Sequence, residues 1–186
     1  MTALNRYYWP TKFDSRNSFL NQNVKCVFIS YQNNDKAEAK KIADYLISAG
    51  INVYFDEYDG DLKRSNQNSS RNKVTESLCK GINNSSYMIV IVSPSTMESN
   101  WVPFEIGFGY DKTELSVLTL KGIPKGSLPE YLQTVYALRN IWRLNGLIET
   151  LKGTSRKLLL ETNSIKEYNN YNHPLNEIMD SILIDN

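Results

Sequence analysis

Lys25-Cys26-Val27-Phe28-Ile29-Ser30-Tyr31 (KCVFISY) is a short apolar run of strand-forming residues that ends in the polar cluster Gln32 to Asp35. Beyond that cluster, Ala39, Ile42, Ala43, Leu46 and Ile47 recur at helical spacing and form one apolar stripe. Asn34 or Asp35 stands where an N-cap belongs, and Gly50 where a helix stops. Ile51 to Asp56 (INVYFD) then reads as a second strand. A strand, a helix and a strand at this spacing make the unit of a parallel sheet. The most apolar stretch, Tyr87 to Val92 (YMIVIV), predicts a central strand buried on both faces.

Between these strands, Glu57 to Asn72 is rich in Asp, Gly, Ser, Asn and Arg, with only Leu62 apolar after Tyr58. It can bury no face and is expected to be a long loop of the functional kind. A helix from Lys73 to about Asn83 follows and carries Glu76. Ser93-Pro94-Ser95 leads into a helix over Glu98 to Tyr110, and Leu115 to Leu120 is the fourth strand. After a turn at Gly122 to Gly126, a helix is expected over Leu128 to Leu138 and a short fifth strand over Asn140 to Leu144. Two more helical patterns, Leu147 to Leu160 and Pro174 to Ile184, flank the Asn- and Tyr-rich Glu167 to Asn172. The expectation is an α/β fold, a central parallel sheet of about five strands with helices on both faces. In such sheets ligands bind outside the carboxyl ends of the strands, where Gln32–Asp35 and Glu57–Asn72 both fall.

The 186 residues suit one domain, and 41% hydrophobic with 22% charged residues is ordinary for a globular chain. A net charge of +1, from 21 basic and 20 acidic side chains, counts against nucleic-acid binding. The cluster Lys63, Arg64, Arg71 and Lys73 is suited instead to a small anionic ligand. No apolar run approaches the roughly 18 residues that would span a bilayer. Arg6, Tyr7, Tyr8 and Trp9 interrupt the stretch where a secretory signal would stand, so a cytoplasmic location without membrane attachment is expected. Cys26 and Cys79 have neither metal-site nor disulfide spacing and read as small core residues, so no metal is expected.

Four segments then carry a family resemblance. Cys26 to Tyr31 resembles the first strand of TIR (Toll/interleukin-1 receptor) domains, and Val53-Tyr54-Phe55-Asp56, Ile89-Val90-Ile91-Val92-Ser93-Pro94 and Trp101-Val102-Pro103-Phe104-Glu105-Ile106 agree in order and spacing. The last is similar to bacterial defence TIR proteins more than to animal receptor adaptors. The resemblance covers Cys26 to about Gly122 and implies a flavodoxin-like TIR fold. Enzymatic members carry a glutamate on the helix before the third strand. Here Val74-Thr75-Glu76-Ser77-Leu78 occupies that place, and Glu76 is the only carboxylate between Asp61 and Glu98. The loop Asp59 to Asn72 lacks the compact Gly-Pro form of other subfamilies, so its contacts do not carry over.

The resemblance implies cleavage of NAD+ at the nicotinamide–ribose bond, with NAD+ as substrate and no separate cofactor. That bond breaks to a neutral leaving group and an oxocarbenium-like ribose, so no acid is needed to protonate the departing ring, unlike an ordinary glycoside. One carboxylate can stabilise the cation, which suits a chain with a single His and no Ser-His-Asp arrangement. Glu76 projects away from the direction of Leu78 and Ile82, so it faces a cleft or water. Phe28, Ser30 and Tyr31 are further substrate candidates, although an FISY run is also plain strand; the Tyr31 ring can stack on a nucleotide or pack. Trp101, Phe104, Glu105 and Phe108 share a helical face, so Glu105 needs either a buried donor or a cleft. Trp101 and Glu105 are kept as substrate-site candidates, as are Arg64 and Arg71 for a pyrophosphate. His173, before Pro174, reads as a surface residue.

The organisation expected is an N-terminal extension (1–23), a TIR domain (24–144) and a C-terminal helical extension packed on it (145–186). Resemblance to the stand-alone TIR proteins of Thoeris-like antiviral systems implies an enzyme that turns ADP-ribose into a signal nucleotide. It also implies TIR–TIR self-association, a phage-derived trigger and a separate effector reached through the product. An NAD-depleting hydrolase and a non-catalytic TIR module are the alternatives; Glu76 counts against the second. A receiver domain would need an acidic pair after the first strand and an Asp ending the third, where Gln32-Asn33 and Ser93 stand.

Overall fold

Residues 3–6, 25–55, 68–99 and 101–182 are described in the structure, a computed structural model. Five strands form one parallel sheet: β1 (Cys26–Ser30), β2 (Asn52–Tyr54), β3 (Tyr87–Val92), β4 (Glu114–Thr119) and β5 (Tyr136–Leu138). Their order is β2-β1-β3-β4-β5, with every ladder parallel. β3 lies in the middle, and its residues from Met88 to Val92 are buried, as its unbroken apolar run requires. The outer side of β2 is covered by the chain's beginning. The Val53 amide donates to the Leu4 carbonyl (3.1 Å), and Asn5 exchanges hydrogen bonds with the backbone of Phe55.

Alternation along each strand divides the core between two faces. On one, Val27, Ile29, Tyr31, Ile89, Ile91 and Leu118 pack with Ile42 and Leu46 of α1 (Lys36–Ser48) and Ile148 of α4 (Ile141–Lys152). On the other, Phe28, Met88 and Val90 pack with Val74, Leu78 and Ile82 of α2 (Asn68–Asn83) and with Val102 and Ile106 of α3 (Trp101–Gly109). A short α5 (Arg156–Glu161) is the last helix among the described residues. Among the described residues, no helix is long and apolar enough to cross a membrane.

Several boundaries depart from the sequence reading. α2 starts at Asn68, so the last residues of the expected loop are helical, while residues 56–67 lie outside the described part. Asn and Ser cost a helix only a few tenths of a kcal/mol each, and lengthening an existing helix needs no new nucleus. The expected helix at Glu98 is a 3-10 turn (Pro94–Glu98), closed by a capping box from Ser93 and Thr96. Ser99 then starts α3 afresh, its Oγ accepting the amides of Trp101 (3.3 Å) and Val102 (3.2 Å).

The stretch from Leu128 to Leu144 departs furthest. No helix forms over Leu128–Leu138. Glu130–Leu132 makes one 3-10 turn, and Tyr136–Leu138 pairs with Ser116–Leu118 as the edge strand. Asn140 to Leu144 is no strand, because the Asn140 side chain accepts the Arg143 amide (2.8 Å) and opens α4. The single helix expected over Leu147–Leu160 is split at Gly153, whose φ of +60° suits glycine, and restarts at the Ser155 cap. The residues 174–182 form turns rather than a helix. Leu175, Ile178 and Met179 are buried at helical spacing, but the carbonyls of Ile178 and Asp180 are taken by the amides of Lys121 and Ile141. α4 runs unbroken through the 144/145 boundary, and Leu159, Ile165 and Leu175 share the buried cluster of Val27.

One glycine sets how closely α2 lies on the sheet. A Cβ on Gly81 would stand 2.6 Å from the Tyr54 ring and 2.8 Å from that of Phe28. Those rings are buried and stacked at 5.9 Å, so neither can move aside cheaply. Gly81→Val is expected to destabilise the fold by about 1–3 kcal/mol, read as a lower urea midpoint.

Candidate functional site

The strand order places a topological switch point between β1 and β3: the chain leaves β1 toward β2 and later returns to β1's other side. At such a point the connections after the two strands diverge and leave a crevice at their carboxyl ends. Ser30 ends β1 and Ser93 follows β3, so both stand at this edge, and both are buried.

Each serine is held by a buried carboxylate. The Ser30 hydroxyl donates to Glu105 Oε2; Glu105 is 1% exposed. Glu105 lies on α3 with the buried Val102, Ile106 and Gly109 rather than in an aromatic stripe, whereas Phe104, one residue earlier, is exposed. The requirement that Glu105 find a buried donor or a cleft is met by the Ser30 hydroxyl. Losing that donor leaves part of the carboxylate's hydrogen bonding unmet. Ser30→Ala is therefore expected to cost about 1–3 kcal/mol in chemical denaturation.

Asp35 forms the second pair. Position makes it the N-cap of α1, yet its side chain caps nothing there. Oδ2 instead accepts from Ser93 Oγ (2.6 Å) and Ser95 Oγ (3.0 Å), joining the end of β3 to the start of α1. Burial raises the carboxyl's pKa, and the two serine hydroxyls pull it back. Asp35, Ser93 and Ser95 were not among the residues singled out from sequence. The signal available is the polar ends of both strands: Gln32–Asp35 reads as a cap at the ligand-binding edge, and Ser93–Ser95 as the lead-in to a helix. Gln32 does the local capping, accepting the Asn34 amide.

The sequence candidates separate. Phe28 and Ser30 face α2 and α3, but Phe28 is buried and stacked on Tyr54. Tyr31, one residue beyond Ser30, turns to the opposite face and packs on Phe55 with ring centroids 5.3 Å apart. Buried to 4% exposure there, it presents no free ring to a nucleotide. Trp101 is half-buried against the α2–α3 side of the core, edge-on to Phe104. Phe104 stacks on Phe108, beneath the Lys112 ammonium. Arg64 lies outside the described residues, and Arg71 falls in the first turns of α2 with its side chain also outside them.

Glu76 is exposed near the middle of α2, between the buried Val74 and Leu78. Those two, with Ile82 and Gly81 against Phe28 and Tyr54, fix which way the helix faces. A carboxylate so placed is free to meet a cation that approaches the α2 surface.

His173 corrects the sequence reading. It is 4% exposed, and its Nε2 lies 3.1 Å from the Tyr45 hydroxyl. The Leu175 amide donates to Nδ1 (3.2 Å), which places the ring proton on Nε2 as donor to Tyr45. Tyr45 in turn donates to Asn145 Oδ1 (2.8 Å) and accepts the Lys166 amide (3.2 Å). No neighbouring residue in sequence announces this, because the partner comes from α1.

Comparison with known proteins agrees with this architecture. A curated protein of Bacteroides thetaiotaomicron, named 2' cyclic ADP-D-ribose synthase BtTIR, is 35% identical over 80 residues, which are 42% of this chain and 25% of that protein. The chain thus matches only about a quarter of that relative's length. The family model described as TIR domain matches residues 27–142, from β1 to the first turn of α4, and so takes in the whole sheet with its switch-point serines. With the flavodoxin-like strand order and a match over more than half its length, the chain belongs to the TIR-domain family.

Proposed function

We propose that this chain cleaves NAD+ at its nicotinamide–ribose bond and converts the ADP-ribose unit into a signal nucleotide, with Glu76 as the catalytic carboxylate. The observation that carries the reading is an exposed carboxylate on a helix whose orientation is set by the core, in a TIR domain 35% identical over 80 residues to a cyclic ADP-D-ribose synthase. The C–N bond breaks with its electron pair going to the nicotinamide nitrogen, which departs neutral. Glu76 stabilises the oxocarbenium left on the ribose. Attack on that carbon by a hydroxyl of the same molecule closes a ring and releases one proton. Attack by water gives free ADP-ribose and also releases one proton.

The switch-point pairs, Ser30–Glu105 and Asp35–Ser93–Ser95, support the reading as the rigid floor of a substrate crevice. Trp101 and the Arg64–Arg71 segment are proposed to line the same crevice, the arginines toward the pyrophosphate. In the cell the proposed role is Thoeris-like antiviral defence: TIR–TIR self-association, a phage-derived trigger, and a separate effector that reads the product. The test is mass spectrometry of nucleotides from cells expressing the wild type or Glu76→Gln, with and without phage. A cyclic isomer that needs Glu76 is expected. Accumulation of free ADP-ribose alone would assign an NAD-depleting hydrolase, and no Glu76-dependent change in NAD+ under challenge would remove the activity.

A further inference from the structure

The segment beyond the family match builds a cavity of its own. After α5 the chain passes through Glu167–Asn172 (EYNNYN) and the turns of residues 174–182. Together with Lys121 these enclose an open cavity of about 390 Å³. Lys121 follows the end of β4, and its amide donates to the Ile178 carbonyl (2.7 Å). The cavity therefore opens at the carboxyl edge of the sheet beside β4, displaced from the β1/β3 switch point.

The loop that forms its wall is tied down by its own asparagines. Asn176 Nδ2 donates to the carbonyls of Asn170 (2.8 Å) and Tyr171 (2.9 Å), and Asn170 Oδ1 accepts the Asn172 amide (2.8 Å). From this fastened backbone the Tyr171 side chain stands 94% exposed. A large ring held in water on a loose loop would mean little. Held on a braced loop at the mouth of a polar cavity, it has only its own two side-chain torsions left to order on binding.

The lining chemistry narrows the ligand. Tyr168 and Tyr171 contribute aromatic side chains, Asn169 contributes an amide with both donors and an acceptor, and Lys121 and Asp180 add one cation and one anion. A purine base uses the first two: it stacks on aromatic rings, and an asparagine amide matches its N6/N7 edge. A ribose diol donates to a carboxylate, and a phosphate seeks the lysine ammonium. A purely anionic ligand would leave the rings unused and meet Asp180, and an apolar one would strand the amides. The volume falls within the roughly 300–1,000 Å³ of small-molecule sites.

We infer that this cavity is a binding site for a purine nucleotide, separate from the carboxylate on α2. The inference stands independently of NAD+ cleavage, because its readout is binding. Equilibrium titration with AMP as the probe is expected to show one saturable site per chain. Tyr171→Ser and Lys121→Ala should each weaken AMP by at least about tenfold with unchanged unfolding midpoints, since both side chains are exposed. Absence of AMP binding at millimolar concentration, or binding that survives both variants, would overturn the assignment. Ribose 5-phosphate binding as tightly as AMP would reduce the cavity to an anion site and end the purine assignment.

Discussion

Glu76→Gln is expected to lower nicotinamide release from NAD+ by at least about a hundredfold while leaving the urea midpoint where it was. Removing one group that stabilises developing charge commonly costs about 10²–10³ in rate, or roughly 3–4 kcal/mol of barrier. Glutamine keeps the length and hydrogen-bonding reach of the side chain and removes only its charge. The substitution therefore tests electrostatic stabilisation rather than shape. Stability should be unaffected because Glu76 is exposed, and surface substitutions usually stay within about 0.5 kcal/mol.

A companion variant separates charge from reach. Glu76→Asp keeps the carboxylate but withdraws it by one methylene. Misplacement by about 1 Å can cost on the order of a hundredfold, so Glu76→Asp should be impaired yet above Glu76→Gln. Full NAD+ turnover by purified Glu76→Gln would return Glu76 to being a solvated glutamate on the outer face of α2. The assay belongs in the triggered state, or in cells under phage challenge, if assembly gates the activity.

How far the sequence discloses the protein depends on where each residue's partners lie. β3 is legible from Tyr87–Val92 alone, because a strand buried on both faces needs an unbroken apolar run. α1 is legible from Ala39, Ile42, Ala43 and Leu46, which are all buried as their spacing demands. Leu128 to Leu144 is not, because the pairing of Tyr136–Leu138 with β4 outweighs a helical spacing of leucines. Ser30 and Glu105 are partly legible: a carboxylate beside apolar residues must find a donor, but that the donor is Ser30, 75 residues away, is tertiary information. Period two along β1 already separates Tyr31 from Phe28 and Ser30, and the sheet enforces it. Glu76 is placed by helical period but given a role only by family resemblance. Asp35 reads locally as a cap, and its partners Ser93 and Ser95 emerge only once β1 and β3 are neighbours.

His173 makes the stability of the fold depend on pH below neutrality. Burial, with the Lys166 ammonium adding to it, lowers the imidazole from 6.5 to about 4. The bonding points the same way, since Nδ1 already accepts the Leu175 amide and a proton there would set two N–H groups against each other. A folded-state pKa below the unfolded value means that the unfolded chain takes up the proton first. The stability owed to neutral His173 is therefore fully present above about pH 6.5 and drains as pH falls toward about 4. Over that window the loss is at most about 3 kcal/mol, less if the turns after His173 open locally before the domain unfolds. Asp35 acts in the opposite sense, since a raised carboxyl pKa makes the fold gain as pH falls through it. Denaturant titrations at pH 7.5, 5.5 and 4 should therefore compare the wild type with His173→Gln, which cannot titrate. The variant is expected to start less stable, having lost the Tyr45 and Leu175 contacts, and to lose less on acidification. Equal pH slopes in the two proteins would show that the buried imidazole does not govern how the C-terminal segment holds to α1.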